Sequence, residues 1–263
     1  NSLLNHMIDM NKVRLLILGL LVCISPDHSP ASSKELPTQH IYRVEDRNLI
    51  DQLVEAGSTV VAEYESFFLV ESDPSTLAAL GADTAVEIVD QERTIHLNSG
   101  ALDTRETEVL AQSKTLGAFE GRQLHLIQFA GPIKREWYES LKKTGAQIVS
   151  YIPHNTYLVY GRFSEIGSLR QMVASEGSAA WEAEYLDSYR IHPAARTSDE
   201  KGRARAPDTE YFAIQMVDDA GANSNTLSLI EGLTTEPLRK NTRLLGFRNV
   251  VARVPADRLP ELA

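Results

Sequence analysis

LHLIQFAGPIKREWYESLKKTGAQIVSYIPHNTYLVYG, residues 124–161, decides how this chain is read. Leu124–Phe129 is an apolar run of strand length, ended by a Gly-Pro break. Trp137 and Leu141 fall four apart on one helical face, and Gly145 suits the left-handed position after a helix end. Ile148–Ile152 and Thr156–Tyr160 are β-rich runs around a turn at Pro153, His154 and Asn155. Beyond them, Ser164 is placed to cap a helix carrying Ile166, Leu169, Met172 and Val173. Ala180–Tyr185 supplies a last strand, and the order is β-α-β-β-α-β.

The same order recurs on both sides. Upstream, His40–Val44 is a strand, Leu49, Ile50, Leu53 and Val54 form a helical face closed by Gly57, and Thr59–Tyr64 with Phe67–Glu71 make a hairpin. Asp73 and Pro74 open a second helix carrying Leu77 and Leu80, and Ala85–Val89 ends the unit. Downstream, YFAIQM at Tyr211–Met216 echoes LHLIQF at Leu124–Phe129. Leu227, Ile230 and Leu233 give a helical face there, Arg243–Phe247 and Val250–Val254 a hairpin, and Ala256–Leu259 a helix start, with no final strand before Ala263. The starts lie roughly 85 residues apart, the spacing of a repeated domain.

The predicted fold class is therefore α+β: tandem ferredoxin-like βαββαβ sandwiches, two complete and a third truncated. The expected boundaries are a first unit at 39–97, a connector of little regular structure at 98–122, a second unit at 123–193, a charged linker at 194–209 and a truncated third unit at 210–263. The hairpin Ile148–Tyr160 is apolar on both sides, so its sheet is expected to be covered on both faces, by another repeat or by a partner.

Residues 1–9 read as extra sequence upstream of a start at Met10, and 10–33 as a signal peptide and polar spacer. Lys12 and Arg14 precede the apolar run Leu15–Ile24, which is about half the ~20 residues a membrane span requires. The expectation is a secreted or extracytoplasmic protein, off the membrane once the signal is removed. The single cysteine, Cys23, lies in that run, and Val22 before it is bulkier than a lipid-attachment signal favours. A mature chain without cysteine has no disulfide framework. A net charge of −10 argues against nucleic acid, which needs a basic face.

No catalytic, cofactor-binding or metal-binding residue is assigned. His6, His28, His40, His96, His125, His154 and His192 are scattered without metal-ligand spacing, and no phosphate loop, dinucleotide fingerprint or nucleophile elbow occurs. Glu182 and Glu184 share one face of a strand and are expected to meet solvent. Trp137 and Trp181 are expected in a core.

With its leader and repeats, and with NVVARVPADRLPELA at Asn249–Ala263, the chain resembles the N-terminal pro-regions of secreted bacterial subtilisin-like (S8) serine proteases. Their propeptides are ferredoxin-like units of the inhibitor I9 type. The resemblance covers most of Gln39–Ala263 and is carried mainly by patterned hydrophobics. It implies a non-catalytic pro-region that chaperones and inhibits a cognate catalytic domain lying beyond residue 263. The family's Asp, His-Gly-Thr and Gly-Thr-Ser motifs do not occur here, so no triad residue carries over. A typical propeptide is one unit; here only the unit from Tyr211 is placed to dock like one, and the first two units are expected to be further pro-units or to take a protein or cell-surface ligand. The alternative is a secreted repeat-containing binding or adhesion protein with no protease domain.

Overall fold

A computed structural model describes residues 39–113, 117–199, 202–206 and 211–263. The leader and spacer read at 10–33, the extra residues 1–9, Cys23, His6 and His28 lie outside the described residues. The architecture is mixed α+β, built on several small antiparallel sheets.

The first sheet comes from β1 (His40–Val44), α1 (Arg47–Glu55), β2 (Thr59–Glu63), β3 (Phe68–Ser72), α2 (Pro74–Leu80) and β4 (Val86–Ile88), with strand order β2-β3-β1-β4. Local chemistry starts and stops its helices. Asp46 accepts the Asn48 N–H at 2.9 Å to open α1, and Asp73 does the same for Ser75 at 2.8 Å ahead of Pro74. Gly81, at φ 63°, closes α2 in the left-handed conformation. Tyr42, Val44, Phe68 and Val70 turn one sheet face onto Leu49, Leu53 and Leu77 of these helices.

A 3-10 turn at Asp90–Arg93 leads into β5 (Thr94–Leu97), β6 (Gly100–Asp103) and α3 (Thr107–Gln112). The stretch 98–122 is thus not an irregular connector, and β5, inside the expected first unit, is half of a separate hairpin. Its fold follows from what it covers, as shown by the next sheet.

That sheet is formed by β7 (Arg122–Phe129), α4 (Arg135–Lys143), β8 (Gln147–Ile152), β9 (Thr156–Arg162), α5 (Phe163–Glu176) and β10 (Ala179–Glu184), in the order β10-β7-β9-β8. Ile127, Phe129 and Val159 face the helices, meeting Leu141, Ile166 and Leu169. Leu126, Trp181 and Ala183 point the other way and are buried by Ile95, Leu97, Leu102 and Val109 of the β5–β6 hairpin and α3. The apolar second face is covered from within the chain, by the short hairpin placed just before it. Burying such side chains stabilises by about 1.5–3 kcal/mol each, enough to order a hairpin of four-residue strands.

α6 (Asp187–Arg190) and a 3-10 turn at Pro193–Ala195 follow. The charged stretch after them contains one isolated bridge, Ser198 to Ala204, among its described residues, while Ile191 and Ala195 pack onto the third core. The third sheet is made by β11 (Tyr211–Val217), α7 (Ala220–Leu233), β12 (Lys240–Leu244) and β13 (Phe247–Arg253), in the order β11-β13-β12. Asp219 caps α7 by accepting from Gly221 and Ala222. Where a second α-helix was expected from Ala256, the chain forms a 3-10 turn, Ala256–Glu261, with Pro260 inside it. Proline removes a donor and crowds the preceding turn, which disfavours a continuing α-helix.

Candidate functional site

The three sheets differ in what lies on the face turned away from their helices. On the first sheet, Ile41, Ala62 and Leu69 of that face pack against Ala130 and Trp137 from the second repeat. Gly131 sits at this contact: a Cβ there would lie 2.3 Å from Leu69 Cδ1 and 2.7 Å from Tyr64 Oη. The Tyr64 hydroxyl donates to the Pro132 carbonyl at 2.8 Å, and Trp137 stacks on Phe129 with ring centroids 5.8 Å apart. A carboxylate closes the adjoining seam. Asp90 accepts from the Ile41 N–H at 2.8 Å and from Arg105 at 2.9 Å, and contacts His40 at 2.5 Å. Burial alone would raise its pKa, but these hydrogen bonds outweigh burial and hold the carboxyl below the usual range.

The third sheet has no such cover among the described residues. Ala213 and Gln215 of β11, and every residue of β12, are exposed. The face grades from charged to apolar. At one end Arg253 pairs with Glu236 at 2.8 Å, and Arg239 lies over the Tyr211 ring, 3.5 Å from its centroid. At the other, Leu244 and Phe247 stand opposite each other, and Leu244 is 64% exposed. The turn joining them is Leu245-Gly246, both at positive φ. Leu245 holds φ 51° and is 86% exposed. A two-residue turn of this kind favours Asn or Gly at that position, so an exposed leucine there gains nothing for the isolated fold.

The residues singled out from sequence are not gathered into one site. His125 and Glu182 do meet, and both are buried, with 2.5 Å between Nε2 and Oε2. Arg170 of α5 binds the other Glu182 oxygen at 3.0 Å, and Ser113 donates to the Glu182 carbonyl at 2.7 Å. Glu182 therefore does not meet solvent. It faces the helix side of its sheet, where Arg170 neutralises it; a buried carboxylate needs such a partner. Glu184 is partly buried and accepts from Gln123. This group ties α3, α5 and β10 together and opens onto no described cavity, so it reads as an internal brace. His96 and His154 touch edge to face, with centroids 5.1 Å apart, and His154 bonds the Thr94 carbonyl at 2.8 Å. His192 accepts the Ala194 N–H. Trp181 is buried and donates to the Val109 carbonyl at 3.0 Å, while Trp137 is half-buried in the seam. Among the described residues, no group of three or more His, Cys, Asp or Glu could hold a metal, and no helix is long and apolar enough to cross a membrane.

Residues 96–181 match the family model of a domain of unknown function, DUF8729. The match covers about a third of the chain. It begins within β5 and ends within β10, so it joins the hairpin and α3 to the sheet they cover. No curated protein and no solved structure matches the chain.

Proposed function

We propose that the chain is the non-catalytic N-terminal pro-region of a secreted subtilisin-like serine endopeptidase precursor, made of tandem ferredoxin-like units. It acts as intramolecular chaperone and inhibitor of a catalytic domain lying beyond residue 263. The observation that carries this reading is the contrast in cover. Two sheets have both faces occupied within the chain, and the third presents an open face with an exposed, conformationally costly leucine at its rim. The strand orders support the units: β2-β3-β1-β4 and β10-β7-β9-β8 are the same split βαβ arrangement, and β11-β13-β12 repeats three of its four positions.

In this reading the first two units and the hairpin form a rigid base, and the third sheet is the docking element. A module that binds only the native catalytic domain stabilises it by mass action, and linkage in one chain raises its effective concentration to about millimolar. Cutting the link removes that advantage.

The test is to translate the reading frame past Ala263, purify the endopeptidase it encodes, and follow hydrolysis of a chromogenic peptide as this chain is added. Saturable inhibition is expected, and Leu245→Asn should weaken it about tenfold, the cost of one contact near 1.4 kcal/mol. A frame encoding no such endopeptidase, or an endopeptidase indifferent to the chain, sinks the proposal and favours the adhesion reading.

A further inference from the structure

A groove of about 440 Å³, a volume in the range of small-molecule sites, opens between α2 and β4 on the first sheet. Pro74 and Leu77 of α2, with Val86 and Ile88 of β4, give it apolar walls, and Ile88 is 55% exposed. Three polar side chains complete the lining. His40 is held by Asp90. Asp83 is exposed, and no described residue pairs with it. Tyr42 is the unusual one. It is only 4% exposed, yet no described residue bonds its hydroxyl, and that hydroxyl is not sealed in the core. A hydroxyl in so buried a side chain ordinarily has a partner, so this one calls for a group that the described fold does not supply.

The field around the hydroxyl is negative. From Glu71 to Glu92 the chain also carries Asp73, Asp83, Glu87 and Asp90, and it has no lysine or arginine there. Burial first, then the charges of Asp90, Asp73 and Asp83, push the Tyr42 pKa up. The hydroxyl therefore stays neutral, with lone pairs free to accept from a cation. Asp90 is already bonded to Arg105, and Asp73 caps α2, which leaves Asp83 as the uncommitted carboxylate.

We infer that this groove binds a primary ammonium carried on a short apolar stem. The stem lies along Leu77, Val86 and Ile88, the ammonium donates to the Tyr42 hydroxyl, and Asp83 neutralises its charge. A free alkyl amine and a lysine side chain share this chemistry, an apolar stem ending in a charged head. An anion would meet the same carboxylates as repulsion. Bare metal ions fit poorly, since no group of three or more His, Cys, Asp or Glu among the described residues could hold one.

The site belongs to the first unit and owes nothing to the inhibition reading, so either can fail alone. Amide NMR spectra of the 263-residue chain, titrated with n-hexylamine, should show saturable shifts at Tyr42, Leu77 and Ile88 with a Kd of order 1 mM. n-Hexanol, with the same stem and no charge, should bind at least about fivefold more weakly, and hexanoate should cause no shift there. Asp83→Asn and Tyr42→Phe should each weaken hexylamine at least about fivefold. Glu87→Gln removes the same charge from the residue beside the groove-lining Val86 and Ile88, on the other side of β4, and should leave the Kd within about twofold. Asp83 is exposed, so its variant tests the site without disturbing the core. The peptide acetyl-Ala-Lys-Ala-amide separates the two sources: binding at least as tight as hexylamine assigns the groove to a lysine side chain, and binding of hexylamine alone assigns it to a free amine. No saturable shift at the groove up to about 20 mM hexylamine, hexanol binding as well as hexylamine, or Asp83→Asn binding like the parent each overturns the inference.

Discussion

The second and third sheets share three strand positions but differ in what covers them, and part of that difference lies in the residues that precede each sheet. The second owes its two covered faces to β5, β6 and α3, which precede it in the chain. Among the described residues that precede the third sheet, Ile191 and Ala195 pack onto its core. A shared order of three strands is thus covered on both faces in one sheet and on one face, among the described residues, in the other.

The comparison breaks most easily at the cover of the second sheet. Trp181→Ala empties a buried ring site and deletes its bond to the Val109 carbonyl, and should cost about 3–5 kcal/mol in urea unfolding. A loss near that expected of an exposed residue would mean the hairpin does not cover that face. Next in size is the close approach of the first two repeats. Gly131→Ala pushes a methyl group into Leu69 and Tyr64, both held by packing or a hydrogen bond, and should cost about 1–3 kcal/mol. Fluorescence of Trp137, which sits in that seam, should shift in the same variant.

Acid should loosen the seam at Asp90. The folded pKa of this group is lowered, so its contribution is present above the unfolded value near 4 and lost as pH falls through the folded one. Urea midpoints should drop as pH falls below about 4, and Asp90→Asn should flatten that drop. A variant as acid-sensitive as the parent would show that the seam does not depend on this charge. The smallest effect has the opposite sign. Leu245→Asn relieves the positive-φ leucine and creates an Asn-Gly turn, which should stabilise the chain by about 0.5–1 kcal/mol. A destabilised variant would mean that Leu245 packs within its own sheet, and the argument from its exposure would fail.

Much of the element order was legible because helices and strands here declare themselves by period. The Trp137–Leu141 spacing, the Asp73-Pro74 start and the apolar run Leu124–Phe129 each mark an element found in the structure. The β5–β6 hairpin was missed since its strands are only four residues each. A trace was there: Ile95 and Leu97 alternate before a two-residue turn at Asn98 and Ser99, and Leu102 follows. Glu182 shows a different limit. Strand period correctly puts it on the side of Glu184, but its partners His125 and Arg170 come from a neighbouring strand and an overlying helix. Period tells which side chains share a face; the neighbours of that face are set by tertiary packing. The exposure of Ala213, Gln215 and β12 was equally hidden, because it depends on which described residues pack there.

The placement of the β5–β6 hairpin has a consequence for how such a chain could have grown by duplication. The hairpin follows the first repeat in the chain yet completes the second. A copying event bounded by the βαββαβ pattern would have duplicated a sheet stripped of its lid. The family match starts at His96, inside β5, and so takes in the hairpin together with the sheet it covers. Any recombinant fragment of the second repeat, or any lineage that rearranges these units, must carry the hairpin with the sheet that follows it.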